Sequence, residues 1–178
     1  AQAWWLHHSL LALRQALHDR GGDLLFFTGE AATVLVQVVQ QTGASQIYLN
    51  RSYERDDQDR ELARRLKSAG IAVHAFHGQL LHDPSHVRTG AGKPFRVFTP
   101  FWKALQALGE PREPLAAPDA IRGVSSTPPS EQLEEWGLLP TKPDWAAGFG
   151  DIWTPGEAGA GFRLEDFVEK GLRDYKSG

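Results

Sequence analysis

The sequence predicts an α/β fold built on a parallel sheet, and three observations carry that prediction. Helix-period and strand-like stretches alternate through the first eighty residues, and the strand-like runs are short and mostly bounded by turn residues. The composition is that of a packed domain: of 178 residues, 41% are hydrophobic and 23% charged, which excludes a disordered chain. A single core at this length buries about 70% of the surface the unfolded chain exposes, so no staple is required. There is no cysteine, which excludes a disulfide scaffold, thiolate catalysis and any Cys-ligated zinc or iron–sulfur site. With 19 basic against 22 acidic residues the net charge is −3, so no bulk positive field draws the whole chain onto nucleic acid. No apolar run approaches the ~20 residues of a membrane span, and no signal peptide opens the chain. The chain has no methionine and runs from Ala1 straight into a helical pattern. A fragment or a processed product is expected.

The elements follow in order. Leu6, Leu10, Leu13 and Leu17 recur at helical spacing and predict an amphipathic helix over residues 3–20, stopped by Gly21-Gly22. The run Leu24-Leu25-Phe26-Phe27 predicts a buried strand. Ala31, Val34, Leu35, Val38 and Val39 predict a second helix ending at Thr42-Gly43, the periodicity outweighing the weak helix propensity of valine. Residues 46–50 read as a second strand, 57–69 as a third helix closed by Gly70, and 71–76 as a third strand. Helix and strand alternating at these lengths mean βαβ units. Beyond residue 80 the periodicity fades, and residues 110–130 hold five of the eleven prolines. Proline gives no amide hydrogen and fixes its own φ, so this stretch reads as an extended linker. Phe162, Leu164, Phe167, Val168 and Leu172 then predict a helix within 156–175. No repeat or low-complexity tract is present.

Several motifs fall short of their chemistry. Gly92-Lys93 has Val87 and Pro94 where a phosphate loop needs glycine and a hydroxyl residue. Gly159-Ala160-Gly161 has Leu164 in place of the third glycine of a dinucleotide turn. His74, His77, His82 and His86 lie close in sequence, but His74 and His77 are three apart on a predicted strand and point to opposite faces. They read as ordinary surface or half-buried histidines rather than as a metal site. Across Arg51–Lys67 the acidic residues crowd the start and the basic residues the end, the polarity a helix dipole prefers, and Asp56 or Asp57 would cap the first turn. The same segment follows a sheet strand, and in open parallel sheets ligands bind beyond the carboxyl ends of the strands. Asn50, Tyr53, Glu54, Asp56 and Asp57 could there hydrogen-bond a heterocycle or an amine. Trp136, Trp145 and Trp153 lack basic neighbours, so packing between domains is the expected role.

Together, several segments resemble the photolyase/cryptochrome family. They are Trp4-Trp5-Leu6-His7-His8-Ser9-Leu10, Thr42-Gly43-Ala44 before Asn50-Arg51-Ser52-Tyr53-Glu54, and above all Gly92-Lys93-Pro94-Phe95-Arg96-Val97-Phe98-Thr99-Pro100-Phe101-Trp102. Pro114–Pro118, Leu138-Leu139-Pro140 and Trp153-Thr154-Pro155-Gly156-Glu157 are similar to its connector and to the entry of its helical domain. The resemblance runs in order over nearly the whole chain.

What the resemblance implies is a light-dependent flavoprotein. Its Rossmann-like α/β antenna domain would occupy 1–109, a Pro-rich connector 110–139, and the first part of a helical FAD domain 140–178. Three strands would be visible, and two inner strands of the family would be missing. In photolyases, photoexcited reduced FAD gives an electron to a cyclobutane pyrimidine dimer in DNA, the dimer splits, and the electron returns. An antenna chromophore, either a folate (MTHF) or a deazaflavin (8-HDF), passes excitation energy to the flavin. By position, Asp56 and Asp57 match a folate-contacting pair that is usually Asn-Glu, with Tyr53 and Glu54 beside them, and Tyr175 matches a tyrosine at the edge of the FAD site. The FAD-phosphate contacts and electron-relay tryptophans would lie past Gly178, so no catalytic residue is expected in the chain, and by itself it is expected inactive. Expected partners are the rest of the flavin domain and, for the whole protein, damaged DNA, with a strand-swapped oligomer of the fragment as a further expectation. A bacterial-type cytoplasmic location goes with these. Two other functions stay open: a cryptochrome-type photoreceptor, and a stand-alone chromophore-binding module.

Overall fold

The computed structural model describes residues 1–53, 56–78, 80–124 and 127–175. The chain divides into two compact units, one made of Gly29–Ala117 and the other of Ala1–Thr28 with Pro118–Gly178.

Gly29–Ala117 holds the sheet. Helix α2 (Ala31–Thr42) starts where the Glu30 carboxylate accepts the amides of Ala32 and Thr33, and it stops at Gly43, whose φ of 69° suits a residue without a Cβ. Strand β1 (Gln46–Asn50) runs parallel to β2 (Ala72–Phe76), with Tyr48 opposite His74. Helix α3 (Asp56–Ser68) is the crossover between them, and it packs on α2 and β2. Leu66 on α3 is wholly buried, and Ile71 and Ala32 are nearly so. Ile47, Leu49 and Val73 lie half-buried on one sheet face. On the other, the exposed ring of Tyr48 stacks on His74 at 4.8 Å and on Phe76 at 6.2 Å. Helix α4 (Phe98–Gln106) lies where the periodicity had faded; Pro100 sits in its first turn, where a missing amide hydrogen costs nothing.

Among the described residues the sheet thus has two strands, not three. The run Leu24–Phe27 belongs to the other unit and joins no ladder. A strand exists only through a neighbour that takes its backbone groups, and here loop residues take them. Phe26 N donates to Ser130 Oγ at 2.8 Å, Phe26 O accepts from Glu131 N at 2.9 Å, and Thr28 N donates to the Glu131 carboxylate at 2.9 Å. The same carboxylate accepts the Thr28 hydroxyl and the Trp136 indole N–H, and these donors hold it below its usual pKa.

In that unit α1 (Gln2–His18) forms as expected, but the leucine stripe is not its buried face. Leu6 is 46% and Leu13 41% exposed, while Trp4 and His7 are buried. Tryptophan offers more apolar area than leucine, and Trp4 meets the edge of Phe149 at 5.3 Å. The proline-rich stretch forms neither helix nor strand over its described residues, and a tight turn follows at Leu133–Trp136. Helix α5 (Phe149–Ile152) and α6 (Glu157–Asp166) come next, α6 continuing as a wider turn, Phe167–Gly171. Trp136 packs on Phe26, Trp145 on Phe149 and Trp153 on Trp5, all inside this unit. No described helix is long and apolar enough to cross a membrane.

Candidate functional site

Because β1 and β2 are parallel, the loops that leave Asn50 and Phe76 open at the same end of the sheet. Arg51 N donates to Phe76 O at 2.9 Å, carrying the pairing one step beyond the ladder. Ser52 N then donates to the Asp59 carboxylate at 2.7 Å, tying the loop to α3. That tie sets where the next residue, Tyr53, stands.

The Tyr53 hydroxyl is hydrogen-bonded to Nδ1 of His77, and the two rings lie 22° from parallel with centroids 6.1 Å apart. On its other side, His77 Nε2 lies 2.6 Å from Asp83 Oδ2. The side chains of His77 and Asp83 are 29% and 14% exposed. Asp83 also caps the short turn Pro84–His86, its Oδ1 accepting Ser85 N at 2.8 Å. The Ser85 amide, with the Ser85 hydroxyl adding to it, holds the Asp83 carboxyl below its usual pKa against the opposing effect of desolvation. Beside this chain of bonds, Gly78 lies against the Asn50 amide, and a Cβ there would come within 2.4 Å of it. Tyr53, His77, Asn50 and Gly78 thus gather beyond the carboxyl ends of the two strands, the side on which open parallel sheets bind ligands.

Of the residues singled out from sequence, Tyr53 and Asn50 stand at this end of the sheet. Asp57 is exposed in the first turn of α3. Asp56 begins α3, its side chain lies outside the described set, and Glu54 lies outside the described residues altogether, as does the cap of α3. Tyr175 belongs to the other unit; it is 69% exposed, with its ring edge-on to Phe167. The pairing of His77 with Asp83 is not among the sequence expectations, although Asp83-Pro84-Ser85 carries the signature of an Asp-capped turn. Around Gly92-Lys93, Thr89 N donates to Lys93 O and Gly92 N to Thr89 O, each at 2.8 Å, so these two amides serve the loop itself rather than a phosphate.

A separate apolar groove of about 570 Å³ lies between α1 and α6, lined by Trp5, Leu13, Ala16, Pro155 and Ala158 among others. Its polar side chains are Ser9 and Glu157, too few to orient a polar ligand.

The DNA photolyase family model matches residues 1–119. The deoxyribodipyrimidine photo-lyase of Agrobacterium fabrum is 46% identical over 180 residues, covering 100% of this chain and 38% of that protein. Cryptochrome-2 of Arabidopsis thaliana is 31% identical, covering 98% of this chain and 30% of its own length. Among solved structures, a class III photolyase from Agrobacterium tumefaciens aligns at a TM-score of 0.86 and 46% identity, over 94% of this chain and 35% of its own. A cryptochrome from Synechocystis sp. PCC6803 aligns at 0.75 and 25%, over 97% and 37%. The chain spans well under half the length of these relatives. With an α/β unit of the expected kind and a family match over two-thirds of its length, the chain belongs to the DNA photolyase family.

Proposed function

We propose that this chain is the antenna-side portion of a deoxyribodipyrimidine photo-lyase, which uses blue light and FAD to repair cyclobutane pyrimidine dimers in DNA. One observation carries the choice of repair over signalling. Identity to the Agrobacterium photo-lyase is 46% over the whole chain, against 31% to the Arabidopsis cryptochrome. On this reading 1–109 form the antenna domain, 110–139 the connector and 140–178 the opening of the flavin domain. Damaged DNA and the remainder of the flavin domain are the partners, in the cytoplasm. Each strand of the two-stranded sheet has one edge without a ladder partner among the described residues, where a second copy of the chain could pair.

The end of the sheet beyond β1 and β2 suits an antenna chromophore, because Tyr53 and His77 offer ring faces there. Such a chromophore, when bound, absorbs light and passes the excitation on. Tyr53 would position it, with Asp57, Asp56 and Glu54 taking donors at its edge; folate and deazaflavin both satisfy this description. For FAD the described residues give no cradle. Tyr175 is one exposed ring propped on Phe167.

The test is to express the longest reading frame that carries this chain, load it with FAD, and illuminate it with a thymine-dimer oligonucleotide. Light-dependent dimer loss supports repair. Light-driven flavin reduction with no dimer loss favours the photoreceptor. A reading frame that binds the antenna molecule but no flavin favours the stand-alone module.

A further inference from the structure

The chain Asp83–His77–Tyr53 fixes more than position. An ionised carboxylate can only accept hydrogen bonds. With Asp83 Oδ2 2.6 Å from His77 Nε2, the proton of a neutral imidazole must sit on Nε2. That leaves Nδ1 as an acceptor, so the bond between Nδ1 and the Tyr53 hydroxyl is donated by the tyrosine. With its one hydrogen committed to His77, Tyr53 has only oxygen lone pairs left for a ligand. Deepening the antenna reading above, and resting on it for the identity of the ligand, we propose that Asp83 and His77 set Tyr53 as an obligate hydrogen-bond acceptor, selecting a ring that presents an N–H or amine donor. Tyr53 is the contact, and His77 and Asp83 are positioning residues.

The groups that bear on His77 come from two elements. Tyr53 follows β1, and Asp83 caps the Pro84–His86 turn, from which His86 acts on the Asp83 carboxyl. Asp83 is itself held by the Ser85 amide on Oδ1, and this makes one substitution diagnostic. In Asp83→Asn the carbonyl oxygen keeps the cap, because asparagine caps as well as aspartate. The amide nitrogen then faces His77 Nε2, which must accept. The imidazole proton moves to Nδ1, Nδ1 donates to Tyr53, and the tyrosine hydroxyl turns from acceptor to donor.

Two readouts test this. Nitrogen-15 histidine NMR of the 178-residue chain at neutral pH reports which ring nitrogen of His77 carries the proton. Methenyltetrahydrofolate binding by the longest reading frame carrying the chain reports on the ligand. The expected result is the Nε2–H form in the wild type and in Tyr53→Phe, and the Nδ1–H form in Asp83→Asn. Both variants should bind the folate about tenfold more weakly, the scale of one hydrogen bond lost or opposed. An Nδ1–H or doubly protonated form in the wild type, or an unchanged tautomer in Asp83→Asn, overturns the assignment, and so does a Tyr53→Phe variant that binds as tightly as the wild type. If the tautomers behave as stated and the wild type binds no folate, the antenna reading falls while the acceptor polarity of Tyr53 stands.

Discussion

Leu66→Ala measures how much of the sheet-bearing unit rests on one contact. Leu66 is fully buried on α3, and its carbonyl accepts Ile71 N at 3.0 Å where the chain turns through Gly70 toward β2. The substitution deletes three carbons, about 2.4 kcal/mol of transfer energy at ~0.8 kcal/mol per methylene. The cavity it leaves raises the total to about 3–4 kcal/mol, because neighbours in a helix–sheet interface relax only in part. For a unit of this size, 3 kcal/mol lowers Tm by roughly 12–24 °C. Thermal melts followed by far-UV circular dichroism would show it, with Leu81→Ala as the control. Leu81 is 81% exposed, and its truncation should stay within about 0.5 kcal/mol. A loss under about 1 kcal/mol for Leu66→Ala, or equal losses at both positions, would refute the reasoning, since it would mean that α3 does not close the interior of this unit.

Three further outcomes follow from other contacts. Glu30 has a pKa of about 2, lowered first by the Thr33 hydroxyl and then by Arg65; its stabilising effect is whole above the ordinary carboxylate value of 4.5, disappears as pH falls through about 2, and should be missing from the acid limb of a Glu30→Gln melt series. Gly78→Ala puts a methyl group where the Asn50 amide lies. It should displace that side chain and weaken folate binding about tenfold, with a loss of stability of about 1 kcal/mol or less, because the obstructing atoms belong to a side chain that can move. Gly159→Ala is the contrasting case: a Cβ there would come within 1.9 Å of Thr154 O, so the backbone itself must shift, and a loss of about 3 kcal/mol is expected from urea unfolding.

Local pattern alone determined most of the elements. The valine-rich spacing and Gly43 placed α2, the charge gradient and Gly70 placed α3, and the glycine- and polar-bounded runs placed β1 and β2, because these signals reside in periodicity and in residues with special backbone freedom. The quoted motifs also carried the family. The sequence further pointed to the loop after β1 as the ligand side, and Tyr53 stands there. Tertiary structure decided the rest. Leu24–Phe27 has the composition of a strand, yet Ser130 and Glu131, a hundred residues away, take its backbone bonds. Trp4 and His7, not the leucines, face inward on α1, because the choice of face depends on what packs against it. The His77–Asp83 pair stands beside the loop after β1 only through the parallel register that opens both loops at one end of the sheet. Hydrogen-bond partnership across such distances is a property of the folded chain, and no local pattern encodes it.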